Sequence, residues 1–341
     1  SHNPPDYNGF KIVLGHHSFF GDKITELGKR AAAGLIKADG GHREAQSVFD
    51  DYIARLVKQA DFGALSIVWD AGNGAAGPAT EAMLAALSDN GGALGTHKTL
   101  YCDIDGHFPN HHPNPVDPET LESLREQVAA LGADCGIGFD GDGDRIGLVD
   151  SKGRQVAGDI LTAFLATDIL TRNPRADIIF DVKSSALAMQ IVRDAGGTPH
   201  LWKTGHTHMK QKLYESGAPL AGEMSGHIFI ADGDYGFDDA LYVASRLVTQ
   251  IAKHTAETGI SITDFMDNLP KTFTTPEHRI DCPDTEKFGV IARLSQGVSA
   301  DHSPDSVNLI DGVRVTTTEG WWLIRASNTE AALVARAEGV N

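Results

Sequence analysis

Hydrophobic and polar residues alternate along this chain with two different periods. Segments in which apolar residues recur every three or four positions predict helices, and short uninterrupted apolar runs predict buried strands. The predicted helices cover residues 48–60, 78–87, 119–131, 160–170, 186–195, 208–215 and 238–253, and the predicted strands cover residues 65–69, 96–102, 135–139, 146–149, 177–182, 199–203 and 219–221. Because helices and strands take turns along the chain, the pattern indicates an α/β fold built from two similar units in tandem.

The pattern changes after residue 270. A strand-like segment at residues 272–280, a helix at 285–295, an apolar run at 320–324 and a helical run at 331–337 indicate a smaller α+β module at the C-terminal end. We therefore expect boundaries between the units near residues 46, 152 and 267.

Composition narrows the class of protein. The 341 residues are 41% apolar, which is enough for the cores of two or more domains, and no apolar stretch is long enough to cross a membrane. The net charge of −17 argues against a nucleic-acid surface. Because Cys102, Cys135 and Cys282 have the spacing of neither a disulfide framework nor a zinc site, we expect a protein of the reducing cytoplasm.

An acidic loop between two predicted strands carries the clearest chemistry. Asp140, Asp142 and Asp144 alternate with glycines, so in extended backbone their carboxylates point the same way and can converge on a hard cation such as Mg²⁺. Arg145 adds a guanidinium that can donate hydrogen bonds to an anion beside that cation. Asp-Gly pairs also form ordinary hairpin turns, so the loop alone leaves both interpretations open. A calcium EF-hand is excluded, because Arg145 and Ser151 stand where it needs Gly and Glu.

A second polar cluster lies at alternate positions before an apolar run. Glu223, Ser225 and His227 project onto one side of an extended backbone and offer an acceptor, a hydroxyl and an imidazole. This trio suits neighbouring hydroxyl groups of a sugar. A polar face of an edge strand is the alternative interpretation.

A third cluster lies between a predicted strand and the predicted helix at residues 331–337. Arg325, Ser327, Asn328 and Thr329 place an arginine, hydroxyls and helix-start N–H groups where they would cradle a phosphate. Ser327 and Glu330 also have the spacing of a helix capping box, which needs no ligand. Both interpretations can hold together.

The remaining candidates are single residues. The Ser1 hydroxyl can carry a phosphoryl group if a cation and hydrogen-bond donors hold it, although chain ends are commonly frayed. Lys11, Lys183 and Lys203 each follow a strand-like run, where α/β sheets place their ligand crevice, but any one of them also fits an ordinary surface lysine.

These clusters, in this order and spacing, resemble the α-D-phosphohexomutase family over nearly the whole chain. Because Met224 stands between Glu223 and Ser225, this loop resembles that of the bacterial phosphomannomutase/phosphoglucomutase branch. The resemblance implies that Ser1 is phosphorylated and binds Mg²⁺ together with Asp140, Asp142 and Asp144. It implies catalytic roles for Ser1, Lys11, Arg145 and His227. It implies that the substrate is bound by Lys183, Lys203, His206, Glu223, Ser225, Arg325, Ser327, Asn328 and Thr329.

The implied reaction converts a hexose 6-phosphate of mannose or glucose to the 1-phosphate and back. A phosphoserine would donate its phosphoryl group, and glucose 1,6-bisphosphate would serve as intermediate and activator. One Mg²⁺ per active site, a monomer, a cytoplasmic location, small sugar phosphates as partners, and neither a nucleic acid nor a membrane are expected.

The resemblance also implies four domains around a central cleft. Residues 1–46 would be the remnant of a first α/β domain with the phosphoserine, 47–152 the second with the metal loop, 153–266 the third with the sugar loop, and 267–341 the C-terminal α+β domain. Family members carry most of the first domain before the phosphoserine and more chain after the last loop. We therefore expect residues 1–46 not to fold independently.

Three other functions stay open from the sequence. A phosphoglucosamine mutase would share the chemistry but usually has Gln at the position of Met224. A catalytically inactive sugar-phosphate binding module would not become phosphorylated at Ser1. A magnesium phosphatase would release inorganic phosphate instead of an isomerised sugar phosphate.

Overall fold

A computed structural model describes residue 6 and residues 9–15, 17–34, 40–89, 94–328 and 330–339. The helices are α1 Asp22–Ala32, α2 Phe49–Val57, α3 Ala76–Asp89, α4 Glu122–Leu131, α5 Gly158–Arg172, α6 Ala186–Asp194, α7 His206–Ser216, α8 Ala240–Thr258, α9 Ile262–Asn268 and α10 Lys287–Asp301. The strands are β1 Ile12–Leu14, β2 His17–Phe19, β3 Ile67–Asp70, β4 His97–Leu100, β5 Cys135–Phe139, β6 Ile146–Asp150, β7 Gln155–Val156, β8 Asp177–Asp181, β9 Thr198–Trp202, β10 Leu220–Gly222, β11 Ile228–Ile230, β12 Phe273–Thr274, β13 His278–Asp281, β14 Val307–Asn308, β15 Val313–Thr316, β16 Gly320–Ala326 and β17 Ala332–Gly339.

The predicted α/β units form two mixed sheets. The first sheet has the strand order β4-β3-β5-β6-β7, in which β3 runs parallel to β4 and β5, and β6 is antiparallel to β5 and β7. The second has the order β11-β10-β8-β9, with β8 parallel to β9 and β10. Every residue of β5 and β6 is buried, which explains why these strands read as uninterrupted apolar runs.

The two sheets share one hydrophobic core. A continuous cluster of buried side chains includes Trp69 and Ile137 from the first sheet, Phe180 from the second, and Phe164 and Leu247 from helices α5 and α8. Because packed interiors resist relative movement, loops at the ends of both sheets are held in a fixed relation to each other.

The C-terminal part forms an antiparallel sheet with the order β12-β17-β16-β15-β14, and β13 also pairs with β17. The predicted helix at residues 331–337 is wrong: these residues belong mainly to β17, which pairs with β16 from Ala326↔Leu333 to Gly320↔Gly339. The alanine-rich sequence favours a helix locally, but strands on both sides of β17 satisfy its backbone and bury its apolar residues. Tertiary context therefore overrides local propensity.

The described residues of the N-terminal segment, up to residue 48, are almost all exposed. Strands β1 and β2 form a short antiparallel hairpin, and helix α1 buries none of its residues. Phe20 contacts the His208 ring edge-on, with 5.3 Å between the ring centroids. Within the described ranges, no helix is both long enough and apolar enough to cross a membrane.

Candidate active site

The acidic loop connects β5 to β6 and is closed by its first aspartate. The Asp140 side chain is fully buried, and its Oδ1 accepts the backbone N–H groups of Asp144 at 3.0 Å and Arg145 at 3.1 Å. The three carboxylates converge: one oxygen atom from each lies within 4.8 Å of the corresponding oxygens of the other two, in Asp140, Asp142 and Asp144. Three oxygen donors this close match the preference of Mg²⁺ for carboxylates, so these residues fit a hard divalent cation.

Mutual repulsion and burial affect protonation in this loop. Burial raises the pKa of Asp144 to about 6, and the neighbouring charges of Asp140 and Asp142 act in the same direction. Lys11 opposes this, because its Nζ lies 3.1 Å from Asp142 Oδ2 and 2.5 Å from Asp144 Oδ2. Burial disfavours the charged form of Lys11, but the two carboxylates outweigh it and raise the Lys11 pKa above its ordinary value. The structure thus brings a predicted catalytic lysine to the predicted metal ligands.

The Arg145 side chain is fixed by two acceptors, one in the acidic loop and one in a separate loop. Its Nε donates to Asp140 Oδ2 at 2.8 Å, and its Nη1 donates to Asn114 Oδ1 at 3.1 Å. The guanidinium is almost completely buried, so this ion pair lies in a low-dielectric environment. The sequence did not single out Asn114, which lies in a proline-rich loop far from the acidic run.

The predicted sugar cluster lies beside the acidic loop. Ile146, the first residue of β6, donates its backbone N–H to Gly226 O at 3.1 Å. Gly226 has a φ of +91°, and a Cβ there would come within 2.4 Å of Ile146 O. Only glycine therefore permits this approach between the two loops.

Glu223 is buried and accepts hydrogen bonds on both oxygens. Its Oε1 accepts from the Gly205 backbone N–H at 2.6 Å, and its Oε2 accepts from Ser225 Oγ at 3.0 Å. Burial raises the pKa of Glu223 to about 7, and the charge of Asp181 adds to the effect. The carboxyl group can therefore change its protonation state near neutral pH.

His227 brings the sugar cluster close to the acidic loop. Its Nδ1 lies 3.7 Å from Asp144 Oδ1 and 3.6 Å from Asp238 Oδ2, and its ring stacks on His206 with 5.6 Å between the ring centroids. Burial lowers the pKa of His227 to about 4 despite the nearby Asp238, so the imidazole is neutral at pH 7. A neutral imidazole can accept a proton.

Asp238 and Lys210 complete this cluster, and sequence reasoning missed both. Asp238 Oδ2 lies 3.3 Å from His206 Nδ1, and its Oδ1 accepts from Lys210 Nζ at 2.9 Å. Burial disfavours the Asp238 carboxylate, but His206 and Lys210 outweigh it and hold its pKa below the usual range. In the sequence, Asp238 was only the first residue of a predicted helix, and nothing in that pattern indicated a partner for histidines.

Lys183 lies where the second sheet meets the C-terminal sheet. Its Nζ is 2.9 Å from Glu277 Oε1, and its backbone carbonyl accepts from Arg336 Nη1 at 3.0 Å. The buried Arg314 donates to the flanking carbonyls, Val182 O at 2.6 Å and Ser184 O at 2.8 Å. Two arginines of the C-terminal sheet thus fix the backbone at Lys183 and at the residues on either side of it.

Of the predicted phosphate cluster, Arg325 lies on β16, and Ser327 and Asn328 lie between β16 and β17. Because β17 is a strand, no helix begins here, and the free N–H groups of a first helical turn that we expected to bind the phosphate are absent from the described residues. The Glu330 N–H still donates to Ser327 Oγ at 3.2 Å, as the capping pattern predicts, but it closes a hairpin turn. Lys203 and Asn328 line a cavity of about 260 Å³, together with His208 and Asp311.

Arg325, on β16, faces a residue that the sequence did not indicate. Its Nε donates to Asp311 Oδ2 at 3.0 Å and its Nη2 to Asp311 Oδ1 at 3.4 Å. Asp311 Oδ2 also accepts the Thr204 N–H at 3.0 Å. Ser1 and Thr329, which were predicted as the phosphoserine and as part of the phosphate cluster, lie outside the described residues.

A chain of contacts therefore runs from the acidic loop to the phosphate cluster. It passes from the acidic loop through Gly226 to Glu223, then through the backbone of Gly205 and Thr204 to Asp311 and Arg325. Residues from both α/β sheets and from the C-terminal sheet contribute to one connected site.

Comparisons with known proteins agree on one family. Three models match successive parts of the chain: phosphoglucomutase/phosphomannomutase alpha/beta/alpha domain II over residues 50–153, alpha/beta/alpha domain III over residues 157–273, and the C-terminal domain over residues 277–341.

Individual proteins give the same result. A phosphomannomutase/phosphoglucomutase of Pseudomonas putida is 42% identical over 339 residues, covering 99% of this chain and 71% of that protein. A phosphoglucomutase of Neisseria gonorrhoeae is 37% identical over 350 residues, covering 99% of this chain and 72% of that protein. A crystal structure of a phosphoglucomutase/phosphomannomutase family protein from Burkholderia thailandensis superimposes with a TM-score of 0.90 at 40% identity, covering 100% of this chain and 70% of that one. The chain belongs to the phosphoglucomutase/phosphomannomutase family, whose members interconvert sugar 1-phosphates and 6-phosphates.

Proposed function

We propose that this protein interconverts the 6-phosphates and 1-phosphates of mannose and glucose through a phosphoserine at Ser1 and a hexose 1,6-bisphosphate. The observation that carries the proposal is the contact between the acidic loop and the sugar cluster, made by the Ile146–Gly226 backbone bond and the 3.7 Å approach of His227 to Asp144. A metal loop and a hydroxyl-binding cluster side by side are what phosphoryl transfer to a sugar requires.

Asp140, Asp142 and Asp144 would hold one Mg²⁺, with the Ser1 oxygen as a further ligand. Bound Mg²⁺ supplies charge stabilisation to a transferring phosphoryl group. Lys11 and Arg145 contribute positive charge from the protein itself. Lys11 is anchored to Asp142 and Asp144, so its ammonium lies close to the ligands, and Arg145 is fixed by Asp140. Fixed cations stabilise the charge that develops in the transition state without reorganising.

Glu223 and Ser225 would bind hydroxyl groups of the sugar. When the Ser1–phosphorus bond breaks and a new phosphorus–oxygen bond forms to the sugar, the sugar hydroxyl loses its proton. His227 is the candidate acceptor, because its Nδ1 lies 3.7 Å from Asp144 Oδ1 and thus beside the acidic loop. The bisphosphate would then reorient within the site, so that its other phosphate faces Ser1 and is transferred back to it.

The phosphate that does not react would be bound by Arg325, Ser327, Asn328 and Thr329, and Lys183, Lys203 and His206 would contact the substrate at other positions of the cleft. Support comes from the cavity of about 260 Å³ that brings Lys203 and Asn328 together, and from the buried position of Arg325. Holding either end of the bisphosphate in the same place lets one site serve both directions of the reaction.

We also propose that the four sequence-defined units, residues 1–46, 47–152, 153–266 and 267–341, are the domains of this site, and that the protein acts as a cytoplasmic monomer on small sugar phosphates without nucleic-acid or membrane partners. The net charge of −17 supports the exclusion of nucleic acid. Light scattering after size-exclusion chromatography tests the monomer, and limited proteolysis tests the boundaries.

A coupled mutase assay tests the function. Protein expressed from its complete gene is given mannose 1-phosphate, glucose 1-phosphate or glucosamine 1-phosphate, with Mg²⁺ or with a chelator, and with catalytic glucose 1,6-bisphosphate. We expect Mg²⁺-dependent turnover of the mannose and glucose substrates, and its reduction by at least about a hundredfold in Asp142→Asn. The exposed Asp51→Asn serves as the control. Release of inorganic phosphate without isomerisation, or a preference for the glucosamine substrate, would overturn the proposal.

A further inference from the structure

We propose that Asp311 is a positioning residue for the non-reacting phosphate: it orients the Arg325 guanidinium and ties it to the loop that carries Lys203. This inference rests on the proposed function, because it assigns a role within the same site. Asp311 lies between β14 and β15, outside every cluster that the sequence indicated.

The pairing geometry explains how orientation would work. Asp311 engages the Nε and Nη2 atoms of Arg325, which form one edge of the planar guanidinium, and does not engage Nη1. A carboxylate on that edge fixes the plane of the group and leaves the Nη1 donors for a second anion. The Arg325 side chain is 6% exposed and Asp311 16% exposed, so solvent screens this pair only weakly.

The same carboxylate joins two parts of the fold. Asp311 Oδ2 accepts the Thr204 N–H at 3.0 Å, and the next residue, Gly205, donates its N–H to Glu223 Oε1 at 2.6 Å. One short loop therefore lies between the residue that orients Arg325 and the carboxyl group proposed to bind the sugar. Arg325 is on the C-terminal sheet, whereas Lys203 and Glu223 directly follow strands β9 and β10 of the second α/β sheet.

The presence of a carboxylate in this cavity needs a reason. Asp311 lines the cavity with Lys203, His208 and Asn328, and its negative charge by itself repels a phosphate. If Asp311 served only as a counterion for Arg325, removing its charge would strengthen anion binding. If it orients Arg325, removing the charge would weaken anion binding, so the two roles predict opposite signs.

Inorganic phosphate is the probe for the first measurement, because it needs no turnover. The shift in unfolding temperature with phosphate concentration is measured for the full-length wild type, Asp311→Asn and Arg325→Ala. The amide of Asn keeps an acceptor for Thr204 but loses the ionic pairing. The exposed Asp305→Asn, in the same part of the chain, is the matched control. We expect Asp311→Asn to require about tenfold more phosphate for the same shift, as Arg325→Ala does, and Asp305→Asn to match the wild type.

Mutase kinetics give the second measurement. Because the non-reacting phosphate is bound in both the ground state and the transition state, we expect Asp311→Asn to raise KM about tenfold with kcat within about twofold of the wild type. Phosphate binding by Asp311→Asn as tight as or tighter than that of the wild type would overturn the inference, as would a fall in kcat alone. If the wild type binds phosphate and the variant does not, but neither isomerises a sugar phosphate, the positioning role stands while the proposed function fails.

Discussion

Lys11 Nζ lies 2.5 Å from Asp144 Oδ2, although 133 positions separate the two residues in the sequence. Lys11 belongs to an N-terminal segment whose described residues are almost all exposed, and Asp144 belongs to a loop held between two buried strands. The ammonium group and a divalent cation draw on the same carboxylate oxygens. Lys11 is therefore both a candidate partner in phosphoryl transfer and a competitor for the metal ligands.

Replacing Lys11 separates these two effects. In Lys11→Met we expect Mg²⁺ to bind up to about fivefold more tightly, because a partly exposed ion pair is worth about 1 kcal/mol or less. The same variant should lose about a hundredfold or more in kcat, since a fixed cation near the phosphoryl group is missing. Calorimetric Mg²⁺ titration and the mutase assay measure the two effects. The exposed Lys23→Met should leave both unchanged, and weaker Mg²⁺ binding in Lys11→Met would contradict the competition.

Removal of Arg145 should destabilise the protein. In Arg145→Met the buried Asp140 carboxylate loses its cationic partner, and breaking a buried pair from one side costs about 3 to 5 kcal/mol of unfolding free energy. Urea unfolding in a chelator measures the loss. Arg43→Met, at an exposed position, should stay within about 0.5 kcal/mol of the wild type. An equal effect of the two substitutions would show that Asp140 does not depend on Arg145.

The buried Glu223 predicts a pH dependence of stability. Its pKa in the folded protein is about 7, above the ordinary 4.5, so between these values the folded state binds a proton that the unfolded state does not. The contribution of Glu223 to folding stability should therefore decrease as pH rises from 4.5 to 7. We expect Glu223→Gln to remove about 1 to 3 kcal/mol of that decrease.

Unfolding free energies from urea titrations at pH 5, 6, 7 and 8 check this expectation. The exposed Glu257→Gln is the control and should reproduce the slope of the wild type. A Glu223→Gln profile parallel to that of the wild type would mean that Glu223 titrates as it does in the unfolded chain.

A substitution at Gly312 tests whether the position of Arg325 depends on the neighbouring backbone. Its φ is +92°, and a Cβ would lie 2.4 Å from Ile324 O and 2.6 Å from Arg325 Cβ. Gly312→Ala should therefore lower the unfolding free energy by about 1 to 3 kcal/mol and raise KM, because Arg325 must shift.

Gly297→Ala is the matched substitution in helix α10. A Cβ there meets nothing within 4 Å, so we expect a gain of about 0.5 to 1 kcal/mol from helix propensity. Thermal unfolding and mutase kinetics of both variants provide the comparison. A tolerated Gly312→Ala would show that the backbone at this turn is free to rearrange.

Local patterns predicted much of the architecture. The acidic loop between β5 and β6 was predicted with the bounds of β5 correct, because a fully buried strand needs an unbroken apolar run. The comparisons confirm the family and the α/β fold class that the motifs indicated. The roles of the individual site residues stay predictions.

The sequence alone led to a wrong helix at residues 331–337 and to no role for Asp311, Asp238 or Glu277. Apolar period, turn residues and the spacing of Asp140, Asp142 and Asp144 are local properties, so they can be read from neighbouring positions. Strand β17 exists because β13 and β16 pair with it, and Asp311 matters because folding brings it to Arg325 and Thr204. The sequence therefore determined the chemistry that is available and the family, whereas the assembled sheets decided which charges meet, because contacts between distant residues are set by packing and leave no periodic signal in the chain.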